Sequence, residues 1–324
     1  MATKLRRLAA VISLIAMTAL MAGCSDKIVV LNPKGEVGKQ QLDLILITTG
    51  LCLIVIVPVL IMTFVFAWRY RQKSKSKTEY APEWEHNNKL EATWWTIPII
   101  IITIIGVVTV IYTYKLEPSK PLEHEAEPVV IQVTSLDWKW LFQYPEQDIA
   151  TVNYVKFPAD RPVRFELTSD APMNSFWIPQ LGGQIYTMSG MAMKLHLIAD
   201  EPGEYLGMGA NFSGKDFAKM QFMAHAVSQE EFDAWVKDVK RSTPELTEAG
   251  YENLAKPGVI DGTMEFSDIP EGLFDRIVTK YGAHEGHSGH EDMEETEASV
   301  NDADVDEAAE TTSAGTASSS SHHH

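Results

Sequence analysis

Cysteine is nearly absent from this chain: 324 residues carry two, Cys24 and Cys52. No disulfide can form beyond Cys52, and no thiolate metal site can be built there. That excludes a blue or purple copper centre, which needs thiolate as well as imidazole. Cationic residues are also short, 27 Lys and Arg against 44 Asp and Glu, for a net charge of −17. Eleven of those acids lie in residues 283–324, which contain no Lys or Arg. The acidity is therefore mostly a property of the tail, and the rest of the chain offers no nucleic-acid surface.

What is abundant is apolar sequence, and it is unevenly placed. Residues 1–23 read as a secretory signal, with Lys4, Arg6 and Arg7 before an apolar run. The segment closes with Leu20-Met21-Ala22-Gly23-Cys24, which resembles the bacterial lipobox. Cys24 is the expected lipidation site, anchoring residues 24–41 on the periplasmic side. Residues 42–68 and 93–114 are each long enough to cross a bilayer of about 30 Å. Pro58 lies inside the first, and Trp94, Trp95, Tyr112 and Tyr114 suit the membrane interfaces of the second. The loop at 69–92 holds Arg69, Arg71, Lys73, Lys75 and Lys77, so the positive-inside rule places it in the cytoplasm and both flanks in the periplasm. Glu91 sits in this loop just before Trp94-Trp95-Thr96-Ile97-Pro98. It is either a solvated surface carboxylate or a proton-entry group at the mouth of a partner's channel.

Residues 115–128 form a polar, Pro-rich linker in which His124 is a solvated side chain rather than a ligand. Short strand-like runs follow through 129–227, separated by Pro, Gly and Asp turns, and predict a β-sandwich. Trp138, Trp140, Phe142 and Tyr144 alternate and are expected on one strand face as a core stripe. His196 and His225 read as structural strand histidines. Residues 205–220, Tyr-Leu-Gly-Met-Gly-Ala-Asn-Phe-Ser-Gly-Lys-Asp-Phe-Ala-Lys-Met, have the small residues of a tight ligand loop but neither Cys nor His. Residues 228–282 predict three helices: one capped by Ser228 through about Lys240, one beginning at Thr243-Pro244-Glu245, and one over 269–281. The tail at 283–324 is compositionally disordered. Its His284, His287 and His290 are incidental or bind metal loosely, and His322–His324 are native or a tag.

These pieces together resemble subunit II of the haem–copper respiratory oxidases. The resemblance rests on the two-span hairpin, Glu91 with Trp95-Thr96-Ile97-Pro98, Trp138-Lys139-Trp140, Asn174-Ser175-Phe176-Trp177-Ile178-Pro179 and the 205–220 loop, and it covers residues 35–239. It implies a membrane helical hairpin followed by an all-β, cupredoxin-like sandwich with a helical C-terminal extension. Cytochrome c oxidases of the family hold a dicopper CuA centre through His-Ser-Phe and Cys-x-Glu-x-Cys-x-x-x-His-x-x-Met. Here the corresponding positions are Asn174, Gly209, Asn211, Ser213, Phe217 and Met220, so the spacing is kept and only the methionine survives. That pattern, with the lipobox and Asp137-Trp138-Lys139-Trp140, resembles the quinol-oxidizing branch of cytochrome bo type.

The resemblance implies a bacterial inner-membrane subunit of a proton-pumping ubiquinol oxidase. This chain would hold no cofactor, and haems and copper would lie in partner subunit I. Ubiquinol would be the electron donor rather than cytochrome c, and Glu91 would stand at a proton-channel entrance. A menaquinol or a-type-haem oxidase, and a free-standing membrane lipoprotein binding module, are the alternatives. Copper delivery through Met and His is disfavoured by the missing thiolates.

Overall fold

A computed structural model of the chain describes residues 28–71 and 86–282. The signal segment, Cys24, most of the basic loop and the acidic tail lie outside the described residues. Helix α1, Glu36–Arg69, and helix α2, Asn88–Lys115, are both apolar enough to cross a membrane. Each is longer than the apolar run alone suggests. On α1 the extra turn is polar, from Glu36 to Gln41, and reaches the sandwich. On α2 the Asn87 side chain accepts from the Lys89 and Leu90 amides, both at 3.1 Å, and starts the helix early. Glu91 therefore lies in the first turn of α2, not in the loop at 69–92.

The β-domain is a two-layer sandwich. Strands β1 (Val129–Leu136), β2 (Lys139–Tyr144), β3 (Ile149–Val152), β5 (Val163–Ser169), β8 (Met193–Leu197) and β11 (Met264–Phe266) form one sheet, in the order β11-β3-β2-β1-β5-β8. Strands β4 (Tyr154–Pro158), β6 (Asn174–Trp177), β7 (Ile185–Thr187), β9 (Gly203–Gly209) and β10 (Gln221–Val227) form the other, in the order β4-β10-β9-β6-β7. The β1–β5 and β4–β10 pairs are parallel and the remaining pairs antiparallel.

Alternation along β2 loads Trp140, Phe142 and Tyr144 into the core between the sheets. There the rings interlock: Trp140 meets Phe176 edge-on at 5.3 Å, and Phe222 stacks on Phe176 at 5.1 Å and lies against Phe142 at 5.1 Å. Each such pair adds about 0.5–1.5 kcal/mol beyond area burial. Trp138 packs against the edge of this core but is only partly buried and is not on the strand. Its φ of 63° puts it in the β1–β2 turn, and the strand begins one residue later.

The opposite face of β2 is covered as well, so all six of its residues are buried. A second core joins Leu136, Leu141, Ala150 and Val152 to Leu246, Tyr251, Leu254, Phe266, Leu273 and Ile277 of the C-terminal extension. That extension contains α3 (Gln229–Ser242), α4 (Glu248–Ala255), β11 and α5 (Leu273–Thr279). Ser228 caps α3, accepting from the Glu231 amide. The second helix does not start at Pro244: Thr247 is its cap, while the Pro244 carbonyl accepts from the Ser267 amide. The third is shorter than 269–281 because Gly272, at φ 64°, is its N-cap. The extension thus includes a strand, β11, as well as helices.

Two polar anchors hold the extension down. The Lys139 ammonium donates to the carbonyls of Lys256 at 2.7 Å, Gly258 at 2.9 Å and Asp137 at 3.3 Å. Burial pulls its pKa below the ordinary value, against the opposing field of Asp137. Asp170 accepts from Tyr251 Oη at 2.6 Å, Tyr281 Oη at 2.6 Å and Lys280 Nζ at 2.7 Å. Burial pushes the Asp170 carboxyl up, but those three donors outweigh it and hold its pKa below 3.8. The unfolded chain then binds the proton more readily, so this stabilisation is present above about pH 4 and drains away as pH falls through the folded value. Asp170→Asn should cost about 2 kcal/mol and free residues 273–282. Limited proteolysis of the purified protein checks this: faster C-terminal clipping at pH 7 is expected, with the difference from wild type shrinking under acid.

Candidate functional site

Two candidate sites emerge, at opposite ends of the hairpin. Glu91 and Lys115 are 24 residues apart on one helix, roughly 36 Å at 1.5 Å per residue. The sandwich follows Lys115, so Glu91 faces the other side of the membrane from the 205–220 loop. The Glu91 carboxylate is half-exposed in the first turn of α2, with His86 Nδ1 at 3.5 Å.

The loop site is built where β9 ends and β6 and β10 begin. Gly209 donates its amide to the Met220 carbonyl at 2.9 Å and pairs with Phe176 across the sheet. A Cβ on Gly209 would lie 3.4 Å from Met220 Sδ, an ordinary contact. Ala210 donates to the Ser175 carbonyl at 2.9 Å, and Asn211 Nδ2 to the Met173 carbonyl at 3.0 Å. Asn174 is buried, with its Nδ2 on the Pro172 carbonyl and its own carbonyl accepting from Thr187 Oγ1. These contacts bring Asn174, Gly209, Asn211 and Met220 to one end of the sandwich. Ser213 lies on the same loop, and Phe217 opens a 3₁₀ turn, Phe217–Lys219, half-buried with its ring 5.0 Å from that of Phe212. Met220 packs in the main core.

Trp138 holds this loop in place. Its Nε1 donates to the Ser213 carbonyl at 3.1 Å, and its ring lies over Gly214. Gly214 has φ 115°, and a Cβ there would come within 2.9 Å of the indole. Neither role is visible in the strand alternation that groups Trp138 with the core; the nearest signal is Asp-Trp ahead of the strand, a turn pair. His196 proves structural: its amide and ring Nδ1 both meet the Pro118 carbonyl, at 3.1 and 3.3 Å. Burial lowers its pKa, so the ring is neutral at pH 7. His225 faces Glu204 at 3.5 Å across the sheet, and His124 accepts from the Ala126 amide in the linker. Cys24 lies outside the described residues.

Comparison with known proteins places the chain. Residues 240–285 match the family described as COX Aromatic Rich Motif. This stretch carries α4, β11 and α5, with the Tyr251, Lys280 and Tyr281 that grip Asp170. Cytochrome bo(3) ubiquinol oxidase subunit 2 of Pseudomonas putida is 52% identical over 274 residues, 84% of this chain and 86% of the relative. The chain belongs to the quinol oxidase subunit 2 family. Quinol oxidase subunit 2 of Bacillus cereus is 46% identical over 254 residues, 78% of this chain and 87% of the relative. The periplasmic domain of subunit II of the Bradyrhizobium japonicum cytochrome oxidase covers 37% of this chain and 98% of its own, at 22% identity and a TM-score of 0.35.

For a quinol oxidase subunit 2 the donor set at the loop is decisive. A dicopper centre needs bridging thiolates and imidazoles. Asn174, Asn211 and Ser213 offer neutral oxygens, Gly209 and Phe217 offer no side-chain donor, and the Met220 thioether is a weak ligand on its own. The residues do not fit CuA. The loop path is therefore supported by packing, and Gly214→Ala tests it: forcing a Cβ against the indole at positive φ should cost about 1–3 kcal/mol. Protease cleavage within 210–219 of the purified protein should accelerate, with Trp138 more accessible to a fluorescence quencher. Unchanged protection would contradict the assignment of Trp138 as the anchor.

Proposed function

We propose that this chain is the CuA-less second subunit of a proton-pumping ubiquinol oxidase in a bacterial inner membrane. The observation that carries the reading is the loop at 205–220, which keeps the residue spacing of a CuA loop while its donor set cannot hold copper. A soluble cytochrome c needs a relay at the periplasmic face; a lipid-borne quinol delivers electrons within the membrane and needs none. The printed names of the relatives, ubiquinol and quinol oxidase subunit 2, point the same way.

In this reading haems and copper belong to partner subunit I. This chain contributes the α1–α2 hairpin as a packing surface for it and the sandwich as a periplasmic cap. Cys24, lipidated, is a further attachment to the outer leaflet. Glu91, at the cytoplasmic end of α2, collects protons for a channel in the partner. Its exposure and its place beside His86 leave it in contact with water, as a proton-collecting group requires.

Oxygen uptake by the complex purified in mild detergent tests both parts. Ubiquinol should sustain turnover and reduced cytochrome c should not. Glu91→Gln should slow ubiquinol-driven uptake while leaving haem content and assembly unchanged. Cytochrome c activity would overturn the donor assignment, and undiminished turnover of the Glu91 variant would overturn its role.

A further inference from the structure

Where the periplasmic ends of α1 and α2 meet the sandwich, the structure forms a cleft of about 490 Å³. Its walls come from the first turns of α1, the last residue of α2, the linker that follows and the edge strand β8. The cleft is polar and charged in a particular way. Lys115 and Lys120 line it together with Glu36, Glu117 and Glu123. Among the described residues neither lysine is within ion-pair distance of a carboxylate. Two of the acids take neutral hydrogen-bond donors: Gln40 donates to Glu36 at 3.0 Å and Ser119 to Glu117 at 2.8 Å. Five charges of both signs thus share one cavity without neutralising each other.

The position of the cleft is as informative as its charge. The apolar run of α1 begins at Leu42, one residue beyond Gln41, which lines the cleft. That of α2 ends at Tyr114, one residue before Lys115. The cleft therefore sits in the interfacial layer, which adds roughly 5–8 Å on each side of the hydrocarbon core. Within about one to one and a half turns of these boundaries the helices carry exposed apolar side chains, Leu46, Ile111 and Tyr114. A ligand that fills this place has a head carrying both charges and a tail that follows the helix surface.

We infer that the cleft is a binding site for one phospholipid of the periplasmic leaflet with a zwitterionic amine–phosphate headgroup. The phosphate meets Lys115 and Lys120, and the ammonium meets the carboxylates of Glu36, Glu117 and Glu123. A purely anionic headgroup would satisfy the lysines and leave three carboxylates facing its charge. A neutral quinone head has no charge to offer any of the five. The docked position of α1 suits a fixed site. Gly35 lies so close to the Ile198 carbonyl that a Cβ would come within 2.3 Å, and Lys39 pairs with Asp200 at 2.6 Å. The wall of the cleft nearest the N-terminus of α1 is thereby held to the sandwich.

The inference rests on the reading that α1 and α2 span the membrane, and the test separates the two. The full complex is made with the photo-cross-linking substitutions Leu122→p-benzoylphenylalanine and, separately, Gln184→p-benzoylphenylalanine, irradiated in native membranes and analysed by mass spectrometry. An adduct of one phosphatidylethanolamine on this chain is expected. Its yield should fall several-fold when Lys115→Ala and Lys120→Ala are added. Preferential capture of phosphatidylglycerol, of a quinone or of a partner polypeptide would overturn the inference, as would no lipid adduct at either position. Alkaline extraction of the same membranes provides the control. A chain released by alkali refutes the spanning reading itself, whereas a retained chain without the adduct refutes only the lipid site.

Discussion

Strand β2 is buried on both faces, and the rest of the molecule is arranged around that fact. One face carries Trp140, Phe142 and Tyr144 into the space between the sheets; the other carries Lys139, Leu141 and Gln143. Fully burying a large apolar side chain is worth about 1.5–3 kcal/mol, so the three aromatics contribute a substantial share of the energy that holds the two sheets together. The second face would be a liability without a cover. The C-terminal extension supplies it, seating Leu246, Tyr251, Leu254 and Leu273 on Leu141 and its neighbours. A buried ammonium on that face must have acceptors, and the carbonyls of Lys256 and Gly258 provide them.

The turn that leads into β2 links this framework to the loop at 205–220. Trp138 leaves the strand at positive φ, and its indole closes over Gly214 and donates to Ser213. The same loop is knitted by Gly209 to Met220 and by Ala210 to Ser175. In a metal-bearing relative a tight loop is also held by its ligands, each of which binds strongly. Here several modest contacts, each about 1 kcal/mol, share that task. These contacts hold the loop without any metal ligand. On the far side, Asp170 connects the segment just before Asn174 to Tyr251, Lys280 and Tyr281, so the extension also braces this end of the sandwich.

Much of this was legible from residues alone. The two spans stand out because apolar runs of that length have few other uses, and the strands carrying the core have clear alternation. The spacing of Asn174, Gly209, Asn211, Ser213, Phe217 and Met220 is likewise readable from residues, and the structure brings Asn174, Gly209, Asn211 and Met220 to one end of the sandwich. What escaped had physical reasons. Strands β7 and β11 are three residues long, too short for any period to show. Trp138 fits the alternation by number, but a left-handed backbone residue, which sequence does not announce, turns it out of the strand. The Asp170 cluster joins residues separated by 81, 110 and 111 positions. The helix start at Thr247 is hidden behind Pro244, because a proline fits the first turn of a helix and a loop equally well.

The central proposal is that the 205–220 loop, with its CuA-like spacing, is a metal-loop scaffold maintained by packing and lacking only its donors. Restoring the donors tests it most directly, with Asn174→His, Gly209→Cys, Asn211→Glu, Ser213→Cys and Phe217→His introduced together in the full-length chain. The contact between a Cβ at 209 and Met220 Sδ is ordinary, and the backbone around Asn174 and Gly209 is already in place. Copper content and the visible spectrum of the purified variant are the measurement. The account predicts that it takes up two coppers with thiolate-to-copper absorption, as a CuA donor set requires. A variant that folds with protease protection equal to the wild type yet binds no copper would contradict it.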